Sequence, residues 1–193
     1  MSTVVFDISM SLDGFITASG RRPEEPMGDG GQRLHEWAFG EDERNREFFE
    51  RSISELGVVI AGRNTYDDSL PWWGADGPTG PARRPLFVVT HEAPAESPEG
   101  GVYTFVTDGI ESALEQAKAV ADGKIVTVMG GASIGQQYIA AGLIDEISIR
   151  LVPVLFGSGT RMFEHLGGEH VQLEPIELIE TRAATHLRFR IVK

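Results

Sequence analysis

The sequence predicts an α/β protein: three layers, a mostly parallel twisted sheet with antiparallel C-terminal strands, and flanking helices. Three observations predict it. Strand-like and helix-like segments alternate from Val4 through Ala141, as parallel strands joined by helical crossovers require. Several of these strands are short unbroken apolar runs, such as Val58-Val59-Ile60-Ala61 and Leu86-Phe87-Val88-Val89, which suit a sheet covered on both faces. After Phe163 only strand patterns remain, and consecutive strands joined by a turn pair antiparallel.

The elements follow in order. In residues 4–9, Val4, Phe6 and Ile8 alternate with Val5, Asp7 and Ser9 and start the sheet. Asp13-Gly14 is a turn dipeptide between two apolar segments. Residues 17–41 have no clean period and carry Gly28-Asp29-Gly30-Gly31, with Trp37 and Phe39 near the end. Two readings stand for so long a segment: a mobile lid over a binding site, or a passive insertion. Residues 41–56 are helical, with Phe48, Phe49, Ile53 and Leu56 as the apolar stripe and Gly57 as the stop.

The strand at residues 58–61 runs into Gly62-Arg63-Asn64-Thr65-Tyr66, a turn opening a short helix. Arg63 and Thr65 there either hold a phosphate or are a surface cation and an N-cap. Residues 70–85 read as a loop in which Trp72 and Trp73 are packing anchors. The strand at residues 86–89 ends in Thr90-His91, and another strand occupies residues 102–106. Asp108 with Glu111 reads as a capping box for a helix whose face is Ile110, Ala113, Leu114, Ala117 and Val120. Residues 171–180 and 186–192 are the closing strands.

Residues 126–163 organise the whole: strand, Gly130-Gly131, a short helix with Ser133 as cap, Gly142, a strand at residues 146–152, Pro153, then Gly157 and Gly159. A glycine turn feeding a helix start presents free N–H groups and a positive dipole end to an anion. The same pair also makes an ordinary tight turn, and its spacing matches neither G-x-G-x-x-G nor G-x-x-x-x-G-K.

The 193 residues suit one domain, and 41% hydrophobic with 24% charged residues is ordinary for a globular chain. A net charge of −12 argues against nucleic acid or an anionic membrane as partner. No apolar run approaches a membrane span, and the N-terminus enters a strand without a signal peptide's basic region, so the cytoplasm is the expected location. Without cysteine, disulfides and thiol chemistry are excluded. The five histidines fall in no H-x-H or H-E-x-x-H pattern, so no metal site is expected, and there is no G-x-S-x-G elbow.

Four segments together carry a resemblance that none carries alone. They are Ser11-Leu12-Asp13-Gly14-Phe15-Ile16; Val59-Ile60-Ala61-Gly62-Arg63-Asn64-Thr65-Tyr66; Pro85-Leu86-Phe87-Val88-Val89-Thr90-His91; and Val128-Met129-Gly130-Gly131-Ala132, running on through Gly142-Leu143-Ile144-Asp145-Glu146 to Pro153-Val154-Leu155-Phe156-Gly157-Ser158-Gly159. The chain resembles the dihydrofolate reductase-like superfamily. Within it, the chain looks closer to the reductase domain of the riboflavin-biosynthesis deaminase/reductase than to true dihydrofolate reductase.

The resemblance implies a single dihydrofolate reductase-like domain and an NADPH-dependent reductase of a small polar heterocycle. The alternative is a nucleotide-binding module that lost the chemistry. It implies that Gly130, Gly131, Ala132, Ser133 and Ile134 form the cofactor's phosphate turn. Gly62, Arg63 and Thr65 would stand at the cofactor phosphates, and Thr90 and His91 near the 2′-phosphate. It puts Asp13 at the substrate cleft, where it would bind the substrate or relay a proton; a turn aspartate that only shapes the backbone is the competing reading. Related domains are homodimers, and residues 146–152 with the following loop are apolar enough to lie at such a surface. Two departures stand out. The acidic helix residue that faces folate in true dihydrofolate reductases has no clean match in Asp42, Glu43 or Glu47. The deaminase half is missing, with neither H-x-E nor P-C-x-x-C present.

Overall fold

A computed structural model describes residues 2–168 and 170–193. Among the described residues the strands are β1 (Val4–Ser11), β2 (Phe15–Ala18), β3 (Leu56–Gly62), β4 (Leu86–Val89), β5 (Tyr103–Val106), β6 (Ile125–Met129), β7 (Glu146–Val152), β8 (Gly159–Arg161), β9 (Leu173–Glu180) and β10 (Thr185–Ile191). The helices are α1 (Glu36–Phe39), α2 (Glu43–Glu55), α3 (Arg63–Trp73), α4 (Ile110–Val120) and α5 (Ala132–Ala140).

Eight strands form one sheet in the order β5-β4-β3-β6-β1-β7-β10-β9. The first six are parallel; β10 runs antiparallel to β7, and β9 antiparallel to β10. This is the expected three-layer α/β architecture. The period-2 alternation of the strands sorts the core into layers. Val58, Ile60, Val126 and Val128 face α4 and α5, packing with Ala113, Ala117, Ile134 and Tyr138. Val59, Ala61, Leu86 and Val88 face the opposite side, with Tyr66, Leu70 and Trp73 of α3 and Ile53 of α2.

Several expected details are corrected. Gly57 does not stop a helix; it lies inside β3, where a Cβ would stand 2.6 Å from the Ala121 carbonyl oxygen. Its role is close backbone approach. Asp108 is not the cap of α4: the N-cap is Gly109 at φ 100, with no side-chain bond. Ser133 does not cap α5, because the helix already starts at Ala132 with Gly131 as N-cap. Helix α3 runs to Trp73 through Pro71, and a 3₁₀ turn at Gly77–Ala82 occupies part of the expected loop.

Residues 17–41 are not structureless. They hold a bridge between Arg22 and Glu25, a 3₁₀ turn at Gly31–His35 and α1, and they bury Leu34 and Trp37. Arg21 reaches α3 and pairs with Asp68 at 2.5 Å. Strand β2 leaves the main sheet and pairs with β8 instead. Strand β7 itself is internal, lying between β1 and β10 because the last hairpin folds back over that edge, while Leu155 in the loop that follows it is exposed. Among the described residues no helix is long and apolar enough to cross a membrane.

Candidate active site at the crevice between β3 and β6

The connection after β3 passes through α3 to β4 on one face of the sheet, and that after β6 through α5 to β7 on the other. These strands are neighbours, so their connections diverge and leave a crevice at their C-terminal ends. Ligands of open parallel sheets bind at such a switch point.

Two helices open there, α3 after Gly62 and α5 after Gly131, and neither N-cap glycine offers a capping side chain. The first-turn amides of both helices are therefore unclaimed by side-chain caps and carry the positive ends of the dipoles. The two starts are locked together. The Gly131 N–H donates to Thr65 Oγ1 at 2.9 Å. Gly130, at φ 103, passes so close that a Cβ would stand 2.3 Å from the same oxygen. The buried side chain of Ile134 packs next to Gly62, 3.6 Å from where its Cβ would be. Ala132 is buried beside it, while Ser133 is exposed and its hydroxyl accepts from Gln137 Nε2 at 3.1 Å.

Arg63 is half-buried at the head of α3. Its Nε donates to both Asp67 oxygens, at 2.8 and 2.9 Å, and one terminal nitrogen donates to the Glu92 carbonyl at 2.9 Å. That last bond stitches α3 to the loop after β4, where the Thr90 hydroxyl also donates to the Glu92 carbonyl, at 2.7 Å. His91 is exposed between them. The fold therefore gathers Gly62, Arg63, Thr65, Gly130, Gly131, Ala132 and Ile134 at the crevice, with Thr90 and His91 in the loop that follows the next strand outward, β4.

Asp13 stands on the turn after β1, next to β6 in the sheet. Its carboxylate is already engaged. It accepts from the Ser11 hydroxyl at 2.6 Å, from Gly157 N–H at 2.7 Å and from Phe156 N–H at 3.2 Å. The Ser11 hydrogen bond first, then the two amides, pull the carboxyl down to about 2. Near neutrality Asp13 is an anion that braces the turn after β1 to the loop after β7. It holds no proton to donate.

A second polar group, not anticipated from the sequence, lies beneath α2. Arg150 and Asp7 form an ion pair, with a terminal guanidinium nitrogen 2.6 Å from Asp7 Oδ2. Burial, and then the charge of Arg188, pull Arg150 down to about 9. His186 donates from Nε2 to Asn45 Oδ1 at 2.7 Å and stacks on Phe48. Asn45 is the buried polar residue of α2, whereas Asp42 is the helix N-cap and Glu43 and Glu47 are exposed. Asp7, Ser148 and Arg150 read as ordinary polar alternates in their strands; only the covered face buries Ser148 and Arg150 and half-buries Asp7.

Burial first, and Arg150 second, push His186 down to about 4 from its ordinary 6.5. The unfolded chain therefore takes up a proton in that window that the folded chain refuses. The contribution of His186 to stability is full above about pH 6.5 and falls as the pH drops towards 4. Urea melts should show this acid loss, and His186→Phe should flatten it. An unchanged slope in the variant would assign the loss to other groups.

The comparisons with known proteins come to the same architecture. The family model of the RibD C-terminal domain matches residues 2–187. The chain belongs to the RibD C-terminal domain family. It is similar to the uncharacterized protein YwjB of Bacillus subtilis, with 26% identity over 167 residues, 86% of this chain and 85% of that protein. Among solved structures, a putative riboflavin biosynthesis protein from Shewanella sp. PV-4 superposes with a TM-score of 0.75 at 23% identity, covering 100% of both chains. The diaminohydroxyphosphoribosylaminopyrimidine deaminase/5-amino-6-(5-phosphoribosylamino)uracil reductase of Thermotoga maritima superposes with a TM-score of 0.69 at 14% identity; the match covers 99% of this chain and 57% of that one. At these identities the structures establish the fold shared with RibD reductase domains.

Proposed function

We propose that this RibD C-terminal domain protein is an NADPH-dependent reductase of a small polar heterocycle, pteridine- or pyrimidine-like. The observation that carries the reading is the pair of uncapped helix starts converging at the switch point, held in register by Thr65 on the glycine turn. Backbone amides at two helix N-termini suit a pyrophosphate, and Gly130 lets the backbone turn tightly there. Arg63 retains terminal guanidinium donors beyond its bonds to Asp67 and Glu92, and with Thr90 and His91 it offers a polar rim for a 2′-phosphate. When bound, the nicotinamide supplies the hydride. The chain's part is to orient it and exclude water, with Asp13 holding the turn after β1 in place as a positioning residue. Oxidation of NADPH against a panel of pteridines and aminouracils tests the reading. Binding of NADPH without turnover of any of them would favour the alternative, a nucleotide-binding module, which the missing proton on Asp13 also suits.

Arg63→Ala should weaken NADPH by about 1.5–3 kcal/mol, the value of a lost charged hydrogen bond, and NADH by less. Calorimetry on both cofactors checks this; equal losses would move Arg63 from the 2′-phosphate to the pyrophosphate.

The assembly proposed is a two-fold dimer through the last hairpin. Ile176 and Leu178 of the edge strand β9 are exposed, Leu178 at 61%, on the face opposite Glu177 and Ile179, which meet α2. Pro175 lacks an N–H and limits edge-to-edge pairing, so the contact is with the sheet face of a second copy. Light scattering should give twice the chain mass, and Leu178→Glu should give the monomer. A monomeric parent protein at micromolar concentration would reject the proposal.

A further inference from the structure

Arg21 sits on the hairpin-like segment that follows β2. Backbone bonds close the neck of that segment: the Ala18 N–H donates to the Met27 carbonyl and the Asp29 N–H to the Ser19 carbonyl, each at 2.8 Å. Arg22 holds it from within, donating to the Gly20 carbonyl at 2.9 Å and to Asp29 at 2.6 Å, and pairing with Glu25. Arg21 adds to this closure one bond, from Nε to the Pro26 carbonyl at 2.7 Å. Its terminal nitrogen crosses instead to α3 and pairs with Asp68 at 2.5 Å.

Asp68 stands on the crevice side of α3. It follows Thr65 by three residues, so the two side chains share a helix face about 5–6 Å apart. Thr65 looks onto the glycine turn, since its hydroxyl accepts from the Gly131 N–H. The Arg21 guanidinium therefore rests about one helical turn from the two uncapped helix starts. Asp67 lies about 100° round the helix from Asp68 and takes Arg63. Adjacent carboxylates thus hold two arginines on different sides of α3.

The crevice is about one positive charge short for a dinucleotide. The diphosphate is a dianion, and the starts of α3 and α5 offer it about half a charge each. Arg63 is committed to the 2′-phosphate in the proposed reading and is already neutralised by Asp67. Arg21 is the cation parked nearby, and little keeps it there. Its side chain and that of Asp68 are 42% and 36% exposed, and ion pairs that exposed contribute little. A diphosphate offers a guanidinium paired oxygens in the geometry its fork matches.

We propose that Arg21 is a mobile diphosphate ligand: parked on Asp68 in the empty protein, it swings onto the cofactor's diphosphate when NADPH binds, and Asp68 is the internal competitor that limits how tightly the cofactor is held. This rests on the cofactor reading and adds a residue from outside the crevice to it. The neck of the segment stays closed and only the side chain moves. The diphosphate is then held from residues 18–29 as well as from the helix starts.

Calorimetry with NADPH on the full chain, Arg21→Gln, Asp68→Asn and the double variant tests the transfer by its sign. Arg21→Gln should bind about ten-fold more weakly, and Asp68→Asn about three-fold or more tightly, because the arginine no longer has to be drawn off. With Arg21 already replaced, the gain from Asp68→Asn should shrink to about two-fold or less. A pair that only braces residues 18–29 to α3 is broken by either single change, so both would then act in the same direction. Effects of the same sign, or none, would overturn the proposal. So would a gain from Asp68→Asn that survives whole in the double variant, since Asp68 would then be a plain repulsive charge. Two fragments locate the contact: Arg21→Gln should weaken ADP-ribose and leave 2′-AMP unchanged, and the reverse pattern would overturn the assignment to the diphosphate. A parent chain that binds neither NADPH nor ADP-ribose would remove the cofactor reading and this proposal with it. Same-sign variants of a chain that does bind NADPH would remove this proposal alone.

Discussion

Asp7→Ala is expected to destabilise the protein by about 2–4 kcal/mol, towards the cost of breaking a buried ion pair, because the cation left behind is buried although the Asp7 side chain is itself 25% exposed. Asp7 is the carboxylate that faces Arg150, whose side chain is 8% exposed. The guanidinium cannot discard its charge near neutrality, and Nε already lacks a partner. Removing Asp7 leaves a cation under α2 with Arg188 as a like-charged neighbour. Pairing the change with Arg150→Met should recover most of the loss, because the uncompensated charge goes too. Urea unfolding of both variants measures it. A single variant within about 1 kcal/mol of the parent, the range of exposed pairs such as Arg190–Glu174, would mean that water reaches Arg150.

Gly130→Ala is expected to weaken NADPH about 100-fold, roughly 2.7 kcal/mol. Two costs coincide at this residue. Its φ of 103 lies where L side chains rarely go, and the added methyl would stand 2.3 Å from Thr65 Oγ1 and 2.7 Å from Thr65 Cγ2. Relief means moving Thr65 away, which breaks its bond to Gly131 and lets the two helix starts separate. Gly131→Ala is the contrast. At φ −67, with Thr65 Oγ1 3.7 Å from the new Cβ, it should leave the fold intact. Calorimetry with NADPH on folded Gly130→Ala decides the matter; unchanged affinity would remove the pyrophosphate from this turn.

Periodicity made most of the sheet legible in advance. Runs such as Val58 to Ala61 have no polar residue to turn outward, so they had to be covered on both faces. The crevice was legible too, since Gly62 and Gly130-Gly131 each follow an apolar run and open a helix. Long-range pairing was not. Nothing local says that β2 would abandon β1 for β8, or that Gly57 would meet Ala121. Helix caps misled because Asp108 and Ser133 have the right chemistry, yet backbone geometry set each start by a glycine. Residues 31–39 escaped notice because short helical turns show no period, and Trp37 is fixed by Ser9 and Arg150 from distant strands. The Asn45–His186 and Asp7–Arg150 partners are likewise far apart in sequence.

The position of β1 bears on how the chain assembles as it leaves the ribosome. Strand β1 is made before the other described strands yet is a central one, and its neighbours are β6 and β7: Val4 pairs with Val126, and Val5 with Glu146. β1 must therefore wait for most of the chain to emerge. In the interval β3, β4 and their helix can associate, but the sheet lacks the strand that joins β6 to β7. Closing so large a loop is entropically slow, and the apolar Val4, Phe6 and Ile8 remain open to wrong partners meanwhile. Residues 4–11 therefore wait longest for their partners, whereas the strands of the closing hairpin are neighbours in time as well as in space.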